Sequence, residues 1–190
     1  MVVLDFNHDV KFFQTIPWTR TLLGDPAYYP SPTPSRSYKE STEDAIIAQT
    51  LNTKDTIKAW LTMPKKPAPG DAFITETRTL LSLGHAVNGY AGLVHGGIVA
   101  LMIDEAMGTM LQLNAYAGNA DLTSFVVTAY LKTRFLRPVP TPSIVLLIAK
   151  LRERRGRKMY IDATVENEAG EVLATGEALW VHKKDPQANL

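Results

Sequence analysis

Two features of the chain have residue types and a spacing that could do chemistry. His95, Gly96 and Gly97 stand together, and Asp104 follows Gly97 by seven positions. Glycines at a helix start leave backbone N–H groups with no intrahelical partner and no side-chain obstruction. Such a start attracts a carbonyl oxygen that is gaining negative charge. A carboxyl within an apolar run needs an explanation, because burial without a partner costs several kcal/mol or drives protonation. At ~100° and ~1.5 Å per residue, Gly97 and Asp104 share one helix face but stand roughly 10 Å apart along the axis. One helix cannot bring both to the same reacting atom. Two antiparallel copies across a two-fold interface can, so the spacing predicts a homodimer in which each subunit donates half of the site.

The elements around these residues can be read from their periods. Eleven of the sixteen residues from Ile98 to Leu113 are apolar, which predicts a buried helix. Glu105 adjoins Asp104 but points about 100° away around it. Before the helix, Thr56 to Met63 alternates and reads as a strand, Pro64 to Gly70 as a loop, and Phe73 to Leu83 as a second strand. After it, Ser124 to Leu136 alternates with Phe125, Val127, Ala129, Leu131, Thr133 and Phe135 on one face. Strands over Ile144–Leu151, 159–166 and Val172–Val181 follow, joined by turns at Arg155-Gly156 and Glu168-Ala169-Gly170. Short connections among these last four strands imply an antiparallel meander. Long twisted strands and one apolar helix give an α+β fold in which the sheet wraps the helix. The N-terminal part divides into an amphipathic opening (1–25) that packs on the main body, an extended connector (26–35), and a short capped helix from Ser41 to about Leu51. Residues 1–54 therefore form an extension and 55–190 the main domain, with a frayed tail at 185–190.

Composition removes several classes of answer. Twenty Lys and Arg against nineteen Asp and Glu leave a net charge of +1, which argues against a general polyanion binder and hence against nucleic acid. With no cysteine there is no disulfide framework, thiolate nucleophile or cysteine zinc site. His8, His85, His95 and His182 are scattered and form no HExxH pair, so no metal is expected. GxSxG, P-loop and GxGxxG motifs are absent, and no cofactor is expected. The N-terminus lacks the pattern of a secretory or mitochondrial signal, and acidic residues interrupt the longest apolar run well short of ~20 residues. The expectation is a cytoplasmic protein without a membrane span.

LVHGGIVALMIDEAMG followed by TAYLKTRFLRPVP resembles the acyl-CoA thioesterases of the hotdog fold, in the branch whose central helix begins with HGG and carries an acidic residue nine positions after the histidine. The likeness covers roughly residues 55–182. It implies that backbone N–H groups of Gly96 or Gly97 hold the thioester carbonyl. It also implies that Asp104, from the partner subunit, is a general base on water or a nucleophile giving a mixed anhydride. His95 would shape the loop or bond the carbonyl or the water, and Thr128 matches a threonine placed beside the acid. Asn88, seven residues before His95, stands in for an amide that some relatives place near the carbonyl.

Each of these residues also has an ordinary structural reading: Asp104 as a hydrogen-bonded group at a dimer seam, His95 as a loop donor, the glycines as packing positions, Thr128 as strand surface. The helix composition makes Met102, Met107 and Leu111 candidates for an acyl channel. The basic run KLRERRGRK (150–158) is a solvated hairpin tip or a landing place for CoA phosphates, with Arg134 and Arg137 as further phosphate candidates. The lead expectation is a homodimeric or tetrameric acyl-CoA thioesterase. The alternatives are a biosynthetic tailoring or releasing enzyme acting on a carrier-bound polyketide or aromatic acyl group, and a noncatalytic acyl-CoA-binding protein.

Overall fold

The apolar run after His95 forms a single helix, α3 (Gly96–Tyr116), whose buried residues include Val99, Met102, Ile103, Ala106, Met107 and Met110. The computed structural model describes residues 6–71, 73–119 and 126–183. Two helices, α1 (Phe6–Gln14) and α2 (Pro17–Leu23), precede the strands β1 (Ile57–Pro64) and β2 (Glu76–Leu83). A small hairpin of β3 (Asn88–Tyr90) and β4 (Leu93–Val94) leads into α3. Then come β5 (Val126–Phe135), β6 (Ser143–Arg155), β7 (Lys158–Glu166) and β8 (Val172–His182). The large sheet is antiparallel with the order β1-β2-β6-β7-β8-β5, and its inner face packs on α3. This is the expected α+β architecture of a sheet around one helix.

The meander holds for β6, β7 and β8 only. β5 pairs with β8 at the far edge, so the link from 136 to 142 crosses the ends of two intervening strands. That link, rich in proline, is tied down as it passes: the Leu136 and Arg137 N–H groups both donate to Leu173 O at 2.9 Å. Burying β6 and β7 against the helix leaves β5 the edge position. The first turn at its start, Ser124 and Phe125, lies outside the described residues, as does the tail from 184.

β1 is buried on both sides rather than alternating in and out of solvent. Trp60 faces the helix core, while Ala59, Leu61 and Met63 join Phe13, Tyr28, Leu80 and Leu146 in a second apolar layer on the outer face. The amphipathic opening supplies that layer, since Val10, Phe12, Trp18, Leu22 and Leu23 pack against it. The connector then runs along the outer edge of β1, with bridges Tyr28–Lys65 and Ser31–Thr62. Arg36 is half-buried against the Trp60 ring and donates to the carbonyls of Leu51 and Ile57; desolvation there lowers its pKa to about 10. The helix expected from Ser41 is shorter than its sequence suggests. Thr42 and Asp44 take left-handed φ values of 65° and 57°, and the only helical stretch is one π turn, Ile46–Thr50. Lys39, bonded to Asp44, stabilises the bent form.

Glycine brings α3 close to β8. A Cβ on Gly176 would overlap Ile103 Cγ2 and sit 3.3 Å from Met107 Cε, and one on Gly108 would lie 3.0 Å from the Trp180 ring. At the other end of the helix, buried Asn114 accepts from Ile74 N at 2.8 Å and donates to Ile74 O at 2.9 Å. It mimics a strand partner for the segment entering β2, which begins at Glu76 rather than Phe73.

Candidate functional site

The helix start is held from both sides. Asn88 pairs with Val94 in the small hairpin, Val94 N donates to Val139 O at 2.9 Å, and Thr141 Oγ1 donates to Asn88 Oδ1. His95 N donates to Val87 O at 2.9 Å, and Gly89 passes so close that a Cβ would lie 2.9 Å from His95 Cα. Asn88 is thus a brace for the loop.

His95 is the N-cap of α3. Its backbone is extended and its Nδ1 accepts from Gly97 N–H at 2.9 Å, while its carbonyl accepts from the N–H groups of Ile98 and Val99. With His95 N–H on Val87 O, the Gly97 and Ile98 bonds satisfy three of the four donors that a helix start leaves over, Val99 making the first regular helical bond. Among the described residues, Gly96 N–H is the donor left without an acceptor; of the two glycines expected to hold a carbonyl, Gly97 has its N–H engaged by His95. Because Nδ1 accepts, the neutral ring carries its proton on Nε2, which makes a second donor beside Gly96. Both line an open groove of about 590 Å³, together with Tyr90, Leu93, Phe135 and Arg137. Gly96 lies against the Phe135 ring, 3.5 Å from an added Cβ.

Asp104 lies about two turns along the helix from Gly96. Thr128 Oγ1 donates to Asp104 Oδ1 at 2.9 Å. A bulge between Thr128 and Tyr130 makes this possible, and it changes the expected phase of β5. Thr128 pairs with inward-facing Trp180 and Leu131 with Ala178, so Thr128 shares the helix-facing side with Leu131, Thr133 and Phe135 in place of Val127 and Ala129. Burial pushes the Asp104 carboxyl above the usual range, and the Thr128 hydroxyl opposes that rise by stabilising the charged form. Glu105 points elsewhere, beside Ser35 and Thr109; burial raises its pKa, and the charges of Asp44 and Asp104 raise it further.

Neither Asp104 nor Thr128 lines the groove. Eight residues of helix, ~12 Å of rise, separate Asp104 from Gly96 in one chain. Met102, Met107 and Leu111, the expected channel residues, are sealed in the core at 0–2% exposure and none lines the groove. Their apolar character serves the contact between α3 and the sheet. Arg137 lines the groove and donates to Val172 O at 3.3 Å, whereas Arg134 is exposed on the outer face of β5 and lies outside it. The groove's apolar wall, Tyr90, Phe135 and Leu136, is more than 45% exposed at each position. Its signal in the sequence was an aromatic residue in the glycine-flanked loop NGYAG and an apolar pair just before Arg137-Pro138. Among the described residues no group of three or more metal-ligating side chains is gathered, and no helix is long and apolar enough to cross a membrane.

Comparison with known proteins places this geometry in context. Residues 91–174 match the family described as the thioesterase superfamily. Verlamelin biosynthesis protein B of Lecanicillium sp is 27% identical over 174 residues, covering 76% of this chain and 75% of that one. Acyl-coenzyme A thioesterase THEM4 of Bos taurus is 34% identical over 114 residues, 59% of this chain and 44% of that one. The chain therefore spans three quarters of the first relative and less than half of the second. The crystal structure of a thioesterase superfamily protein superposes with a TM-score of 0.52 at 28% identity, over 65% of this chain and 53% of that one. The expected likeness to hotdog thioesterases, in fold and in sequence, is present.

Proposed function

We propose that this chain, thioesterase-like over residues 91–174, hydrolyses an acyl-CoA to the free acid and CoA at a site shared by two subunits. The observation that carries the reading is the pairing of complementary half-sites on one helix. A groove at the helix start has an unclaimed donor at Gly96, and a buried carboxyl outside that groove is held by Thr128. The thioester carbonyl lies at Gly96 N–H and His95 Nε2–H. The partner's Asp104 takes a proton from water as the water oxygen adds to the carbonyl carbon, and the resulting oxyanion rests on the two donors. Collapse breaks the C–S bond, and the proton held by the carboxyl goes to the departing thiolate. Direct attack by the carboxylate, giving a mixed anhydride that water then opens, uses the same groups.

The sheet edges support the dimer. The connector covers the edge of β1, but β5 has no neighbour on its outer side among the described residues, and it exposes Tyr130 and Phe135 at 46% and 59%. Antiparallel pairing of two β5 edges about a two-fold axis puts the Phe135 end of one subunit beside the Thr128 end of the other. Asp104→Asn is expected to keep its fold and its dimeric mass in solution while losing about 10²- to 10⁴-fold in kcat. A folded Asp104→Asn protein with wild-type turnover, or a fully active monomer, overturns the shared-site mechanism.

A second reading, release of an acyl group from a carrier in a biosynthetic pathway, is favoured by one observation. The relative named for biosynthesis matches over a longer part of this chain than the bovine thioesterase does. Turnover of matched acyl-CoA and acyl-carrier substrates separates the two.

A further inference from the structure

The six basic residues between Lys150 and Lys158 are not equivalent in the folded chain. Arg152 pairs with Asp162 at 2.9 Å, Arg155 with Glu153, and Lys150 with Glu76 at 3.7 Å, while Arg154 lies over the Phe73 ring at 5.7 Å. Arg157 and Lys158, exposed at the tip of the β6–β7 hairpin, carry no ion pair among the described residues. The turn that presents them is built on Gly156 at φ 56°. Two uncompensated cations side by side at one hairpin tip are arranged for an anion.

Their place in the sheet decides which groove they serve. Arg157 O accepts from His182 N at 2.9 Å, Lys158 pairs with Val181, and His182 pairs with Val126. The tip therefore lies at the end of the sheet where β5 begins, two strands or ~10 Å across from it. The chain's own groove is at the opposite end of β5, where Leu136 and Arg137 bond Leu173. Ten residues of strand, ~30 Å, separate the two. The tip cannot serve that groove, but a two-fold axis through the β5 edges brings the partner's groove to the tip's end of the sheet.

We propose that Arg157 and Lys158 of one subunit bind the phosphates of a CoA thioester seated in the partner's groove, on the same side of the dimer as the Asp104 that acts there. This rests on the shared-site reading above. The phosphates of CoA are remote from the sulfur, at the far end of the pantetheine arm, so cations that hold them act on capture of the substrate and leave the chemical step alone.

The test is an Arg157→Ala/Lys158→Ala double variant assayed with acyl-CoA and with the matching acyl-pantetheine, which lacks the nucleotide phosphates. The expected result is a KM for acyl-CoA raised on the order of ten-fold at low salt, with kcat unchanged, no change for acyl-pantetheine, and an effect that shrinks as salt is raised. An unchanged KM for acyl-CoA overturns the proposal. So does a loss confined to an acyl-carrier protein, which would make the tip a protein-docking surface. Mixed dimers test the assignment to the partner's groove. When the double variant is combined with Asp104→Asn subunits, the one competent site has an intact Asp104 only beside a mutated tip, so KM stays high; a restored low KM shows that the tip serves its own groove and refutes the arrangement. Binding of CoA against pantetheine, which lacks the nucleotide phosphates, measured without turnover, separates this proposal from the hydrolase reading. A preference for CoA that the double variant abolishes upholds the subsite even if no thioester is cleaved, and no preference in the wild type overturns it.

Discussion

Thr128→Val is the substitution that most directly probes how the fold prepares Asp104. Valine keeps the β-branched shape that suits a strand and removes only the hydroxyl that donates to Asp104 at 2.9 Å. A hydrogen bond to a charged group contributes about 1.5–3 kcal/mol, and the partial exposure of this pair places it at the lower end. The bond favours the charged carboxylate over the protonated acid, so its loss adds to the upward push that burial already exerts. A difference of about 1.4 kcal/mol is ten-fold in the ratio of the two forms. If the carboxylate is the active form, kcat/KM on the acid limb of the pH profile should fall about ten-fold in Thr128→Val, and the limb should move toward higher pH. Well above the limb, where both proteins are charged, the variant should recover most of its activity. Thr128→Ser retains the donor and should retain the wild-type profile. A Thr128→Val profile superimposable on the wild type would refute the reasoning. A loss of equal size at every pH would show that Thr128 acts in orientation alone.

Other substitutions address the remaining parts of the site and its frame. Glu105→Gln should raise the melting temperature at neutral pH, because burial has raised the folded-state pKa and the charged form is penalised there; the advantage should vanish as pH falls below about 4.5, where glutamate is protonated in both folded and unfolded chains. His95→Ser keeps an N-cap acceptor for Gly97 but removes the Nε2 donor, so kcat should fall about 10²-fold or more with the fold intact by circular dichroism. Wild-type turnover in that variant would remove His95 from the oxyanion site. Gly176→Ala forces a methyl into Ile103 and Met107, and overpacking of this kind costs about 1–3 kcal/mol, visible as a drop of several degrees in melting temperature.

What could be read in the sequence was what depends on short periods. The apolar run gave α3, and the alternation gave β6 to β8 and their turns. What could not be read depends on contacts distant in sequence. Alternation placed Val127 and Ala129 inward because a bulge leaves no trace in a period of two, and it is the bulge that turns Thr128 toward Asp104. Met102, Met107 and Leu111 looked like channel residues because a helix buried against a sheet has the same composition as one lining a cavity. The HGG letters named the donor region, but which N–H remains available followed only from His95 Nδ1 claiming Gly97. Asn114 bonding the backbone of Ile74, forty positions away, had no local signal at all.

The connector along β1 bears on how large an assembly of this chain can grow. A sheet with two bare edges offers a template at both ends, and each added copy presents a fresh template for the next, so growth has no natural stopping point. Here Tyr28 and Ser31 occupy one edge through their bridges to Lys65 and Thr62. The remaining edge at β5 can accept one neighbour, and pairing two such edges consumes both. In the proposed dimer the proline-rich strip at 26–35 is thus a chain terminator for sheet addition, which closes the edge that the β5 pairing leaves over.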